Sequence, residues 1–488
     1  MACDEGFSCR FMLMKPEDVS FLNLLIYILF SDIFEERTRQ PADSTAASDE
    51  SFGYRKLVFK SILLQKFLVR VAKPLECFGS SIEFCLNLLS SNDNLFSLIH
   101  NAIHGKLVIP DKTSQNFFSI IGNIDQRENL DSNIKPGDPR YNAALSMMAS
   151  KLSYENKARI EHTVTQLWKM QFLGFYEYWN DFQEKSTTQA FMMRDKSEDH
   201  DTIVVAFRGT LPFDVAAWCS DFDISWYRIP KVGKVHGGFM KALGLQKSAG
   251  FPKDMIEEEE GRVKRNRPSP LAYYDIREKL RELLGQNDKA KYVLTGHSLG
   301  GALAILFLAG LTLHEEKFLL ERLEGVYTFG QPRVGDEKFG EFMKKEIIEN
   351  DHTRYFRFVY CNDIVPRLPY DYKPLMFKHF GTCLHSDRHY KVKIADDEPS
   401  KYYFSRRKAI TMRINSVLEL IRSFTIAYTK GPEFKEGKLM RLLRVIGLVI
   451  PGLAAHSPQD YINTTRLASK EVFLPPKNSS QKNPIIGG

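Results

Sequence analysis

The chain has 488 residues, enough at roughly 150 residues per domain for two or three domains or for one enlarged domain with appendages. Its 43% hydrophobic and 26% charged residues exclude a wholly disordered, collagenous or coiled-coil protein. A net charge of +7 does not by itself separate nucleic acid from anionic lipid as a partner, so the distribution of charge matters more than its total. Seven cysteines without a C-x-x-C pair indicate neither a disulfide framework nor a zinc site, and point to a reducing compartment.

The first residues, M-A-C-D-E-G-F-S-C-R, carry acids at once and lack a basic segment before an apolar core, so they do not read as a secretory signal or transit peptide. Met-Ala in place of Met-Gly excludes N-myristoylation. Residues 19–31 form an uncharged run of 13, where a bilayer span needs about 20. Such a run can dip into a membrane or bury in a core. Residues 55–73 hold six positive charges and no negative one. On a helix, Arg55, Lys56, Lys60, Lys66, Arg70 and Lys73 fall within an arc of about 140°, leaving Leu57, Ile62, Leu64, Leu68 and Val69 on the rest. That pattern fits a helix lying in a lipid interface, and equally a basic surface helix packed on the domain. Pro74 is expected to end it, with further short apolar helices over 82–89 and 95–99. After Leu474, P-P-K-N-S-S-Q-K-N-P reads as a loose tail.

From about residue 140 apolar runs alternate with helical periodicity, as in an α/β domain. Residues 202–207 (T-I-V-V-A-F) predict a buried strand, 271–284 an amphipathic helix and 291–295 a second strand. Gly296-His297-Ser298-Leu299-Gly300 then stands between that strand and an apolar helix starting G-A-L-A. Strand, tight turn and helix are the context of a nucleophile elbow, in which glycines clear space around a serine projecting from the sheet.

A serine nucleophile needs a base, and the base an orienting acid, following in that fold in the order Ser, Asp or Glu, His. Asp363 lies just past the strand predicted over 355–360, where catalytic groups collect in open α/β sheets. Four histidines lie downstream of it, His379, His385, His389 and His456, and spacing does not choose among them. An oxyanion needs preorganised N–H donors. One comes from Leu299, after the nucleophile, and the other from the loop after residues 202–207, where Thr210 has the right position.

Taken together, V-V-A-F-R-G-T, V-H-G-G-F, T-G-H-S-L-G-G-A-L-A, T-F-G-Q-P-R-V-G and N-D-I-V-P-R-L-P resemble the class 3 (fungal-type) lipase family, in the family's order. The long form, with an extended N-terminal region and A-H-S-P-Q-D-Y-I-N near the C-terminus, is similar to plant oil-body triacylglycerol lipases. The resemblance implies an α/β-hydrolase fold with Ser298 as nucleophile, Asp363 as orienting acid and His456 as general base. It also implies a lid helix within 211–226, with Trp218 facing either lipid or the core. Unlike compact fungal relatives, this chain carries a basic apolar insertion before His456: residues 401–444 hold 11 Lys or Arg and 3 Glu, a net +8.

The organisation expected is an N-terminal amphipathic, lipid-associating helical region (1–135), an α/β-hydrolase lipase domain (136–475) with a basic amphipathic insertion at about 400–450, and a loose tail (476–488). The function implied is hydrolysis of triacylglycerol at a lipid-droplet (oil-body) surface, peripheral or monotopic and facing the cytosol, or at the endoplasmic reticulum membrane. The chemistry needs neither cofactor nor metal. The same triad serves phospholipase A1, galactolipase and partial-glyceride lipase activities, and the same fold serves non-enzymatic scaffolds. Nucleic acid fits less well, because the basic residues alternate with long aliphatics and no phosphate loop or RNA-binding motif accompanies them. With +6 in residues 55–73 and +8 in 401–444, the remainder carries −7: an acidic body with two basic amphipathic patches suited to anionic phospholipid.

Overall fold

The computed structural model describes residues 19–29, 52–197, 200–223, 226–245, 267–349, 354–369, 377–399 and 406–474; the first 18 residues and the expected tail lie outside these. The strands are β1 (Gln171–Asn180), β2 (Lys185–Lys196), β3 (Asp201–Phe207), β4 (Trp226–Ile229), β5 (Gly233–His236), β6 (Lys291–His297), β7 (Leu323–Phe329), β8 (Gly335–Asp336), β9 (Arg354–Tyr360), β10 (Phe377–Lys378), β11 (Thr382–Ser386) and β12 (Val392–Ala395). Eight form one sheet in the order β1-β2-β3-β6-β7-β9-β11-β12, and four a small second sheet, β10-β8-β5-β4. In the large sheet β3, β6, β7, β9 and β11 run parallel, with antiparallel β1 and β2 at one edge and β12 at the other.

Parallel neighbours require crossovers, and the helices Ala272–Gly285, Leu299–Leu313 and Glu337–Met343 fall between successive parallel strands. Both faces of the sheet are therefore covered, and β3 and β6 read as near-continuous apolar runs. One core places Tyr273, Ile276, Leu303 and Phe307 under the crossover helices. The other places Met147 and Ala149 of helix Tyr141–Leu152 beside Tyr461 and Ile462 of helix Pro458–Leu467. Helix Leu299–Leu313 is apolar all round because every residue but Thr312 is buried. This is the α/β-hydrolase layering.

The N-terminal region differs from expectation. A single helix runs from Phe52 to Ser91 and passes through Pro74, so the proline does not end it and 82–89 is no separate helix. Pro74 is exposed, and solvent can reach the Arg70 carbonyl that loses its partner there. Burial on both sides of the proline holds the helix together. Ser61 Oγ donates to the Phe222 carbonyl at 2.5 Å. Gly79 packs so closely on Phe213 that a Cβ would lie 2.6 Å from that side chain. Further along, Glu83 accepts from the Ile120 amide and Asn87 bridges Phe118 through both its amide groups. The shorter helix Phe21–Leu29 lies against the first part of this rod, where Lys66 Nζ donates to the Val19 carbonyl at 2.6 Å. Among the described residues no helix is long and apolar enough to cross a membrane.

Candidate active site

β6 ends at His297, and the chain turns into helix Leu299–Leu313 through Ser298, held at φ 59° and ψ −129°. A non-glycine residue with such a backbone is strained and persists only where its surroundings fix it. Here the Ser298 amide donates to the Phe329 carbonyl of β7 at 2.8 Å. The flanking glycines are steric necessities. A Cβ on Gly296 would lie 2.1 Å from the Gly300 carbonyl carbon, and one on Gly300 2.2 Å from the Phe207 carbonyl oxygen.

His456 sits on the single turn Ala454–His456, just before helix Pro458–Leu467, whose first turn Ser457 caps. Its Nε2 is 2.8 Å from Ser298 Oγ and its Nδ1 is 2.8 Å from Asp363 Oδ2. Asp363, just past β9, is wholly buried. Its Oδ1 accepts from the Val365 amide, and its Oδ2 also accepts from the Tyr461 hydroxyl at 2.5 Å. Gly330 makes room for this assembly: at φ 60°, a Cβ there would come 2.9 Å from both Asp363 Oδ2 and His456 Cε1.

The other downstream histidines lie elsewhere. His379 is buried with Nε2 2.6 Å from the Pro366 carbonyl, His385 faces the Cys361 carbonyl at 3.3 Å, and His389 is exposed. Burial pushes His379 and His385 below the ordinary imidazole value.

A second histidine does support the site. The His297 ring lies 4.6 Å from that of His456, and its Nε2 is 3.0 Å from the His456 carbonyl. A carbonyl only accepts, so this nitrogen carries the proton, and Nδ1 accepts from the Tyr154 hydroxyl at 2.8 Å. Burial, followed by the neighbouring His456, drives His297 well below its usual range, so the ring stays neutral and keeps that lone pair.

Thr210 lies in the loop after β3. Its predecessor Gly209 is hemmed in by the Tyr154 hydroxyl and the His297 carbonyl, 2.0 and 2.5 Å from where a Cβ would sit. Among the described residues the amides of Thr210 and Leu299 have no protein acceptor, so both N–H groups remain available to a ligand. The Thr210 hydroxyl donates to Asp221 at 2.8 Å, on helix Val215–Phe222. That helix occupies the stretch expected to hold a lid. Trp218 is half-buried, stacks on Phe222 with ring centres 5.7 Å apart, and donates to the Pro212 carbonyl. The long N-terminal helix packs on the same segment through Ser61, Phe78 and Gly79.

Ser298, His456 and Asp363 thus meet; Leu299 follows Ser298 directly, and Thr210 follows Gly209, which packs on the His297 carbonyl. Tyr154, Asp221, Gly330 and Tyr461, and His297 as more than a spacer in the elbow, went unread in the sequence. His297, Gly330 and Tyr461 lie inside the quoted motifs and Asp221 in the stretch expected to hold a lid, while Tyr154 lies in none, and only the folded chain shows what surrounds each. Among the described residues no group of three or more His, Cys, Asp or Glu side chains is arranged to hold a metal ion.

Residues 204–373 match the family described as Lipase (class 3). A Nicotiana tabacum protein named triacylglycerol lipase OBL1 is 41% identical, across 91% of this chain and 89% of its own length. An Arabidopsis thaliana protein of the same name is 40% identical, across 95% of each chain. Among solved structures, the triacylglyceride lipase of Rhizomucor miehei is 24% identical over 54% of this chain and 86% of its own, with a TM-score of 0.38. With identity at this level sustained over nearly the whole length of both plant relatives, the chain belongs to the class 3 lipase family.

Proposed function

We propose that this enzyme releases fatty acids from triacylglycerol, with Ser298, His456 and Asp363 as its triad. The observation that carries the reading is the unbroken hydrogen-bonded line from Ser298 Oγ through both nitrogens of His456 to Asp363, each step 2.8 Å. The names of the plant relatives support triacylglycerol as the substrate.

In the first half of the reaction Ser298 Oγ attacks the ester carbonyl while His456 Nε2 takes its proton. The carbonyl oxygen becomes an oxyanion, stabilised by the Thr210 and Leu299 amides. Asp363 holds the Nδ1–H tautomer and faces the imidazolium that forms. His456 then returns the proton to the departing glycerol oxygen, leaving diacylglycerol and an acyl-Ser298 ester. Water, deprotonated by His456, repeats the attack on that ester and frees the fatty acid.

The workplace of this reaction is the lipid-droplet surface, approached from the cytosol, with the endoplasmic reticulum membrane as the alternative site. Residues 1–135 serve as the lipid-associating region, 136–475 as the catalytic domain and 476–488 as a tail. In support, Phe21, Leu63, Leu64 and Phe67 line an apolar groove between helices Phe21–Leu29 and Phe52–Ser91, with Lys60 and Arg70 also at its wall, as an anionic amphiphile requires.

Hydrolysis of emulsified triolein by the purified protein, with Ser298→Ala as the control, tests the reading. Equal fatty-acid release by both proteins would reject Ser298, and labelling by a fluorophosphonate probe identifies the nucleophile independently.

A further inference from the structure

Between Asp363 and His456 the described residues include two α-helices, Arg406–Lys430 and Lys438–Val449, packed on one another. The second leads directly into the turn that carries His456. Their sequence is basic and aliphatic, and a basic helix on a protein surface normally turns its charges to water. These helices do the reverse with their central charges. Arg444 is 1% exposed and binds Glu436 through Nε and Nη2, Asp460 through Nη2 at 2.9 Å, and Glu419 through Nη1. Arg422 joins the same cluster, donating to the Tyr360 hydroxyl at 2.6 Å and to Asp460 at 3.1 Å. Three carboxylates face two guanidinium groups in this interior, and burial raises Glu419 above its ordinary value.

What faces outward is hydrophobic. On the first helix Ile410, Ile414, Ile421 and Phe424 recur at helical spacing, with Ile410 67% exposed. On the second, Leu442, Val445, Ile446 and Val449 repeat at i, i+3, i+4 and i+7, with Val449 78% exposed. Two apolar stripes that an ordinary fold would bury are thus open, and soluble monomers rarely expose contiguous apolar surface on this scale. Around them stand Arg413, Lys430, Lys435 and Lys438, all exposed and without a carboxylate partner among the described residues. Aliphatic stripes rimmed by free cations match the chemistry of a phospholipid monolayer, with acyl chains below and anionic headgroups at the edge.

We propose that this helical pair is a docking face of the enzyme for the phospholipid monolayer over its substrate, additional to the N-terminal region, and that it engages mainly by inserting aliphatic side chains. The inference rests on the lipase reading above and adds where and how the enzyme meets its substrate phase. The geometry also fixes the face relative to the chemistry. Arg444 grips Asp460, four residues beyond His456, so the docking helices and the catalytic base are clamped as one body. Lipid held at the stripes is therefore held by the same body that carries His456.

The test compares the full-length enzyme with Ile410→Gln/Ile421→Gln/Val445→Gln/Val449→Gln and with Lys430→Gln/Lys435→Gln/Lys438→Gln. Flotation with phosphatidylcholine–phosphatidylserine vesicles reads docking. The ratio of triolein to p-nitrophenyl butyrate hydrolysis reads its consequence, the soluble ester being the internal reference. The aliphatic variant should lose flotation in both low and high salt, and its hydrolysis ratio should fall on the order of 10-fold or more. The lysine variant should lose less, and only in low salt, where unscreened charge contributes.

Flotation of the aliphatic variant equal to the parent would overturn the proposal. So would equal losses on both esters, which would assign the stripes to internal packing, or a parent dimer that the same substitutions dissociate. If the lipase reading itself fails, the parent enzyme leaves triolein intact while flotation still reports on the face.

Discussion

The Thr210 hydroxyl donates to Asp221 Oδ2 across 2.8 Å, tying the residue proposed to supply one oxyanion amide to helix Val215–Phe222. The other carboxyl oxygen, Oδ1, is buried without a partner among the described residues. Burial accordingly pushes Asp221 from its ordinary 3.8 up to about 7. With the folded value above the unfolded one, its stabilising contribution is complete below pH 3.8 and is lost as pH rises through about 7. Asp221→Asn keeps the acceptor for Thr210 and cannot ionise. Its melting temperature should therefore gain on that of the parent between pH 5 and pH 8, and a pH-independent difference would remove Asp221 from this account.

Asp363→Asn should lower kcat on a soluble ester by about 10⁴-fold, with little change in KM, because an amide can hold His456 in the wrong tautomer. Ser298→Ala should cost at least as much. Stopped-flow or steady-state hydrolysis of p-nitrophenyl butyrate measures both without the complication of an interface.

Tyr154→Phe removes the donor to His297 Nδ1 and leaves that nitrogen buried and unsatisfied. The expected loss is about 1–3 kcal/mol of stability by denaturant titration. Since His297 holds the His456 carbonyl, kcat should fall with KM nearly unchanged. An unaltered kcat would reduce the Tyr154–His297 pair to a packing feature.

Gly79→Leu would place a side chain where a Cβ already lies 2.6 Å from Phe213. The long N-terminal helix and the segment 211–223 must then separate, at a cost of about 1–3 kcal/mol. Limited proteolysis should cut residues 211–223 faster in this variant. Cys77→Ser, on the exposed side of the same helix, should leave the rate unchanged.

Arg444→Met strips the centre from a buried cluster and leaves Glu419, Glu436 and Asp460 to share Arg422 alone. Loss of about 3–5 kcal/mol is expected, read as a lower midpoint in urea. Combining it with Asp460→Asn and Glu436→Gln should recover part of that loss, because the stranded charges go with their partner.

The sheet was legible because parallel strands buried on both faces leave runs such as T-I-V-V-A-F, and the elbow because its glycines have steric reasons visible in five letters. Asp363 followed from its place at a strand end. His456 was different: four histidines satisfied the chain order, and only resemblance to a family selected one. Pro74 misled, since proline's local cost of about 3 kcal/mol was outweighed by contacts such as Gly79 on Phe213 that no periodicity reveals. The insertion misled in the opposite sense. Its charge count was right, but Arg422 and Arg444 turn inward because Glu419, Glu436 and Asp460 await them, a pairing distant in sequence and invisible to a net charge.

His456 is the last of the three triad residues along the chain, 158 positions after Ser298 and 93 after Asp363, and both insertion helices precede it. Synthesis therefore delivers the segments proposed to meet lipid before the proposed base. A nascent polypeptide halted at residue 450 would carry the long N-terminal helix, the central sheet and both aliphatic stripes, yet no base to activate its serine. Such a ribosome-bound intermediate should stay dark to a fluorophosphonate probe that labels the finished chain, because the proposed base has not yet been made.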